Sequence, residues 1–272
     1  MRLPLIKDIL RTQRVKEESI VEQEQGGRWT LSVYKTEAAA ALKLKNRLKR
    51  LRLKQVRVAY QAVATKDWQT LWKKDYKPFT LTKHFDVVPF GYRKTYRLKK
   101  RTPVFIDTSY AFGTGLHATT KFMAGFIDGL QGKFESFMDI GTGTGILSIL
   151  AFRCGARDIF ALDLRRDIIA IARENFKENK VPSQGLRAVH FGNLHLKKKF
   201  DFVAANLITQ DLILFKKKIL TFVKPGGYLA LSGISLKNYP SLREGFSGLP
   251  LRCLKIKRGE GWVGLLFKRF QK

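Results

Sequence analysis

The residues best suited to chemistry lie in one short run, Asp139-Ile140-Gly141-Thr142-Gly143-Thr144-Gly145, between an apolar stretch and a helix-forming one. Glycines let the backbone turn sharply and let a ligand approach it closely, because no Cβ intervenes. A second acid, Asp163, ends the next apolar stretch 24 positions beyond Asp139. A carboxylate there can accept both hydroxyls of an adenosine ribose. A dinucleotide fingerprint needs its third glycine at position 146, which is Ile146. No Gly-Lys-Ser/Thr follows the loop, so it is not a P-loop. An anionic Asp139 ahead of the first glycine would also repel a pyrophosphate. On these residues alone, a glycine-rich structural turn stays open as the alternative.

The elements around the run must place it at a sheet edge. Phe134–Ile140 reads as an apolar strand, Ile146–Cys154 as a helix and Ile159–Asp163 as a strand. Helix Asp167–Asn179, strand Arg187–Phe191, strand Asp201–Asn206, helix Thr209–Val223 and strand Tyr228–Ser232 follow, then a helix around Tyr239–Phe246. Such alternation predicts an α/β fold with a doubly wound, mostly parallel sheet. Ligands sit outside the carboxyl ends of such strands, at the topological switch point. Two last strands, near Leu251–Ile256 and Trp262–Phe270, read as an antiparallel hairpin on the sheet edge, joined through Lys257-Arg258-Gly259-Glu260-Gly261.

The first third of the chain has a different texture. Residues 1–66 predict a small basic α+β domain: strand Trp29–Tyr34, helix Lys35–Arg52 and strand Gln55–Val63, a β-α-β unit. Its helix carries Lys43, Lys45, Arg47, Lys49, Arg50 and Arg52 with no acid among them, which suits either a solvated face or a handle for RNA or an acidic patch. Residues 67–101 read as a connector, ending with six basic residues in the nine from Arg93 to Arg101. Residues 102–272 then carry the main α/β domain.

Composition sets the outer limits. With 272 residues, 44% of them hydrophobic, a sizeable core can form and disorder is excluded as the main description. A formal net charge of +30 either predicts attraction to polyanions such as RNA, ribosomes or anionic membrane, or reflects a basic bias general to its lineage. The two cysteines, Cys154 and Cys253, imply no disulfide framework, and a reducing cytoplasm fits. No Cys/His cluster has zinc spacing, so no metal is expected. The amino terminus is too interrupted by charge for a secretory segment, and no run of about 18 uncharged apolar residues offers a membrane span.

The Asp-x-Gly-x-Gly-x-Gly pattern resembles the first motif of class I methyltransferases that use S-adenosylmethionine, a sulfonium cation that Asp139 can accompany. Two further runs narrow the resemblance. Ala111-Phe112-Gly113-Thr114-Gly115-Leu116-His117-Ala118-Thr119-Thr120 lies upstream of the first sheet strand, and Asn206-Leu207-Ile208 ends the fourth. With Trp68, Trp72-Lys73, Pro89, Lys224-Pro225-Gly226-Gly227 and Leu231-Ser232-Gly233-Ile234, these resemble the ribosomal protein L11 methyltransferase family over residues 67–272. That family trimethylates amino groups of a large-subunit ribosomal protein and has a ferredoxin-like amino-terminal domain for substrate recognition, of which half is readable here. The chain departs from the pattern at Thr108-Ser109-Tyr110, where the family usually has Pro-Gly after the Asp, and at Ala118, usually Pro.

The resemblance implies that Thr120, Gly141, Asp163 and Asn206 contact the cofactor. The residues themselves are compatible with that. Gly141 is expected to expose its N–H, with Asp139, Gly143 and Gly145 in the same loop. Asn206 can accept a hydrogen bond from a substrate amine and aim its lone pair, or simply form a turn after its strand. Thr120 either touches cofactor or starts the next helix. Thr114 and Thr119 can orient the amine or the methionine carboxylate, and Phe112 can shield the sulfonium or merely pack. His117 is expected to stitch its loop by hydrogen bonds. The leading expectation is an amino-group methyltransferase acting on a protein, plausibly a ribosomal one, in the cytoplasm. A nucleic-acid methyltransferase is the alternative, although Leu207-Ile208 after Asn206 offers no ring to stack a flipped base. A non-catalytic RNA- or ribosome-binding protein on the same fold is the third reading.

Overall fold

A computed structural model describes residues 3–13, 15, 20–25, 28–33, 37–51, 53, 56–60, 76–97, 100–107 and 111–270. The chain divides into two units, Met1–Leu71 and Trp72–Lys272. In the first, helix α1 (Leu3–Thr12) precedes the antiparallel pair β1 (Ile20–Gln25) and β2 (Arg28–Val33), then helix α2 (Ala38–Arg50). The strand expected over 55–63 is absent from its described part, 56–60. Strand β2 takes β1 as its partner instead, and β1, IVEQEQ, carries no apolar alternation that would announce it. Closing a short hairpin orders far less chain than returning across a helix, so the local partner wins. Trp68, Trp72-Lys73 and Thr108-Ser109-Tyr110 lie outside the described residues.

The second unit is built on a seven-stranded sheet of order β11-β12-β10-β9-β6-β7-β8. Its strands are β6 (Ser136–Ile140), β7 (Asp158–Asp163), β8 (Leu186–Ala188), β9 (Phe200–Asn206), β10 (Val223–Ser235), β11 (Leu251–Gly259) and β12 (Trp262–Arg269). Strands β6 to β10 are mutually parallel, and β12 and β11 close the edge antiparallel, as the hairpin reading expects. Strand β8 is shorter than the Arg187–Phe191 expected; a 3-10 turn takes over at Phe191. Helices α3 (Ala118–Asp128), α4 (Ile146–Arg153) and α5 (Arg166–Glu178) alternate with the early strands, and α6 (Thr209–Phe222) and α7 (Tyr239–Gly245) with the later ones.

The period-2 rule explains why the central strands are apolar throughout. Phe137, Phe202 and Ala204 join a core with Met123, Ile127, Ile149 and Leu150 of α3 and α4. Their neighbours Met138, Ile140, Val203 and Ala205 join a separate core with Leu212, Ile219 and Leu242 of α6 and α7. Both faces are therefore covered, as a parallel sheet requires. The stretch read as connector contributes structure here. Strands β3 (Phe79–Thr80) and β4 (Phe85–Pro89) form a small sheet with β5 (Thr102–Ile106), and Phe85, Val87, Val104 and Ile106 enter the first core.

Candidate active site

Strand β6 runs on to β7 and β8 in one direction, while β9 and β10 lie on the other side, so the switch point falls between β6 and β9. Register pairs Ile140 with Ala205 on β9 and with Leu162 on β7. The next step brings Asn206, Gly141 and Asp163 into one row at the carboxyl ends of three adjacent strands. Residues 65 positions apart in sequence thus meet at a single edge.

The glycine loop leaves β6 with positive φ at Gly141 (76°), Gly143 (55°) and Gly145 (82°). A Cβ on Gly141 would come within 2.6 Å of Leu207 Cδ2, and one on Gly143 within 2.3 Å of Phe112 O. The glycines are required by neighbouring chain as much as by any ligand. The expectation of an exposed Gly141 N–H needs correcting: that group and Thr142 N–H both donate to Leu162 O at 2.9 Å. The loop's first turn is bonded back onto β7 because two strand-end amides would otherwise be left without acceptors.

Asp139 is completely buried; its Oδ2 accepts from the Thr142 and Ser148 hydroxyls, each at 2.8 Å. Its Oδ1 has no partner among the described residues. Burial is the main reason its pKa rises from 3.8 to about 6; the two hydroxyl bonds oppose that rise and the Asp163 charge adds to it. Asp163 is fastened by Gly143 N–H to Oδ2 (3.1 Å) and Arg165 N–H to Oδ1 (3.3 Å), which fixes its carboxylate at the rim. Leu164, 65% exposed, follows it directly.

Residues 111–117 lie against the glycine loop. Thr144 N–H donates to Phe112 O (2.9 Å) and Thr144 Oγ1 to Gly113 O (2.7 Å). His117 caps α3, its Nδ1 accepting from Thr119 N–H and lying 2.7 Å from Thr119 Oγ1. Since His117 is the cap, the Thr120 hydroxyl is not; that atom is buried and without a partner among the described residues. Asn206 Nδ2 donates to Thr119 Oγ1 (3.3 Å), so His117, Thr119 and Asn206 form one chain of contacts. Thr114 is used differently. Its hydroxyl accepts from Leu116 N–H at 3.2 Å, and its carbonyl takes the Tyr76 hydroxyl.

Rings wall this chain of contacts. Phe112, 57% exposed, meets His117 edge-on at 5.5 Å, and Trp262 meets it at 5.1 Å. Trp262 follows the Glu260-Gly261 turn, where φ is 51° and 80°, the two left-handed positions of a type I′ hairpin. Burial lowers the His117 pKa, Glu260 at that tip opposes the shift, and Lys121 reinforces it. Trp262 and Glu260 were not expected at the site, because hairpin pairing across the sheet edge is a non-local fact. Among the described residues, no helix is long and apolar enough to cross a membrane.

Comparison with known proteins agrees with this architecture. The family model for "Ribosomal protein L11 methyltransferase (PrmA)" matches residues 5–270. The chain is 31% identical over 214 residues to the ribosomal protein L11 methyltransferase of Exiguobacterium sibiricum, covering 78% of this chain and 67% of that one. To the Geobacillus kaustophilus protein of the same name it is 32% identical over 214 residues, covering 77% and 67%. The crystal structure of ribosomal protein L11 methylase from Lactobacillus delbrueckii subsp. bulgaricus superposes with a TM-score of 0.66 at 25% identity, covering 72% of this chain and 100% of that one. A switch-point site, a class I methyltransferase sheet and a match along nearly the whole length agree: the chain belongs to the ribosomal protein L11 methyltransferase family, whose members depend on S-adenosylmethionine.

Proposed function

We propose that this chain transfers methyl groups from S-adenosylmethionine to amino groups of a large-subunit ribosomal protein in the cytoplasm. The observation that carries the reading is the row Asn206–Gly141–Asp163, in which Asn206 spends its N–H on Thr119 and keeps its carboxamide oxygen for a substrate donor. The residues present fit the cofactor. Two carboxylates, Asp139 and Asp163, share one end of the sheet, and Asp139 Oδ1 and Thr120 Oγ1 are buried polar atoms awaiting partners. Such a cradle suits a cation and disfavours a pyrophosphate. In this reading Asp163 takes the ribose hydroxyls, the glycine loop and Asp139 the amino-acid end, and Phe112 the cationic face.

Bound S-adenosylmethionine supplies a methyl group on a sulfonium that needs no acid to leave. What remains for the chain is alignment, which can contribute up to about 7–11 kcal/mol. Asn206 Oδ1 accepts one amine N–H and points the lone pair, while Thr119 and His117 hold its rotamer. The amine must arrive without its proton. Its ordinary pKa is about 10.4, and the apolar wall of Phe112 and Trp262 lowers it by disfavouring charge. The proton leaves through water, so no dedicated base is required.

The RNA contact suggested by composition belongs to the first unit. A groove of about 540 Å³ there is lined by Lys45, Lys49 and Arg57 together with Leu48, Leu53, Val56 and Tyr60. Lys45 lies 6.0 Å from the Tyr60 ring centre, and no acid occurs between residues 38 and 66. We read this surface as a contact for ribosomal RNA. The test of the main reading is transfer from labelled cofactor into ribosomal extract. Label in a ribosomal protein, lost in Asn206→Ala, is the expected result. Label in RNA overturns the reading in favour of the nucleic-acid alternative, and no label in either favours the non-catalytic one.

A further inference from the structure

We propose that Asn175 is a positioning residue for the cofactor site, tying Asp107 and, through Thr144, Phe112–Gly113 to the glycine loop. The inference rests on the methyltransferase reading above and adds to it a residue that touches neither cofactor nor substrate. Strand β5 has β4 on one edge only. Its other edge is completed by two side chains of the α5 region. Asn179 Oδ1 accepts from Phe105 N–H at 3.0 Å, and its Nδ2 donates to Phe105 O at 2.6 Å. Asn175 repeats the pattern two strand residues on, accepting from Asp107 N–H at 2.7 Å and donating to Asp107 O at 3.0 Å. The match is geometric. Four helical residues rise about 6 Å, close to the roughly 6.6 Å between strand residues i and i+2, whose backbone groups face the same edge. A pair of amides at i and i+4 therefore imitates a strand.

Both carboxamides are completely buried, so removing either leaves backbone groups unsatisfied in the interior. Their second bonds separate them. Asn179 Nδ2 also donates to Asn175 O at 2.8 Å, which only closes its own helix end. Asn175 Nδ2 instead donates to Thr144 O at 2.8 Å. Thr144 is the residue whose N–H and hydroxyl hold Phe112 O and Gly113 O. One side chain thus grips Asp107 directly and Phe112–Gly113 through Thr144. From Phe112–Gly113 the chain leads on to His117 and Thr119. Asn179 supports the same strand and holds neither the loop nor Thr144.

That division supplies the control. Asn175→Ser and Asn179→Ser both open a buried amide site to water and both lower Tm. Calorimetry with S-adenosylhomocysteine, well below either midpoint, distinguishes them. We expect Kd to weaken tenfold or more in Asn175→Ser (about 1.4 kcal/mol) and to stay within twofold of wild type in Asn179→Ser. Equal Kd changes in the two, or none in Asn175→Ser, overturn the proposal and reduce both residues to packing. Should Asn175→Ser fail to fold, Asn175→Gln keeps the donors on a longer arm. It is expected to retain the fold and weaken Kd, and an unchanged Kd there equally overturns the proposal. Wild-type protein that binds no S-adenosylhomocysteine would refute the functional reading itself, a result distinct from either.

Discussion

Asp139 shows how a single buried group links folding, pH and ligand. Because the fold raises its pKa to about 6, Asp139 is neutral in the empty site below that pH and ionised above it. Its contribution to stability is complete below pH 3.8 and is lost as pH rises through about 6. Above that pH the folded state, relative to the unfolded chain, has lost about 3 kcal/mol through burying the ionised carboxylate. A cation brought to Oδ1 favours the ionised form, so below about pH 6 its binding expels the proton. Cofactor affinity should therefore rise from pH 5 to 7, with proton release near pH 6 detectable by calorimetry in buffers of different ionisation enthalpy; flat affinity across that range would refute the coupling. Asp139→Asn should remove the pH step, weaken cofactor binding and leave the ligand-free protein no less stable at pH 7. At Asp163, whose carboxylate is already fixed by two N–H groups, Asp163→Ala should weaken S-adenosylhomocysteine roughly 10- to 100-fold, the value of a charged hydrogen-bond acceptor. Asn206→Ala should act in the opposite sense, lowering kcat about 100-fold with Kd for cofactor within about threefold, since the role proposed for its carboxamide oxygen is to hold the substrate amine. Equal losses in both quantities would refute that division of roles.

Elements differ in how plainly the sequence announces them. The strand–loop–helix around Asp139–Gly145 is legible because an apolar strand, three glycines and an apolar helix follow one another within about twenty residues. The loop's chemistry is less legible. Nothing local shows that the Gly141 N–H is already bonded to Leu162, or that Asn175 and Asn179, which look like helix-end polar residues, serve a distant strand. Strand β3 has two residues and β8 three, too few for any periodicity to register. The hairpin of β11 and β12 was legible as a hairpin, yet its register decides what it does. Pairing Gly259 with Trp262 puts the indole on His117. Trp262→Ala removes that wall and lets water reach the amine, so KM for the protein substrate should rise several-fold more than KM for cofactor. Parallel increases would mean the ring only packs the hairpin tip.

At the scale of the whole chain, the +30 charge carries no fold information but does shape association. What matters is where cations lack acids. In the second unit several are paired, Arg93 with Glu178, Lys198 with Asp158 and Lys224 with Asp201. Along α2 and residues 56–60, Lys43, Lys45, Arg47, Lys49, Arg50 and Arg57 have no ion pair among the described residues. Each phosphate neutralised by such a group releases counterions, so binding to RNA weakens with salt in proportion to the contacts made. Changing Lys45, Lys49 and Arg57 together to Gln removes three charges from the groove in the first unit, while the site residues of the second stay as they are. The slope of log affinity for ribosomal RNA against log salt should then fall by about 2–3. Kd for S-adenosylhomocysteine and turnover on the isolated ribosomal protein should not change. If the slope is unaltered, the groove is not where RNA binds. If turnover on isolated protein falls instead, these cations recognise the protein substrate itself, and the charge of the first unit serves specificity rather than RNA contact.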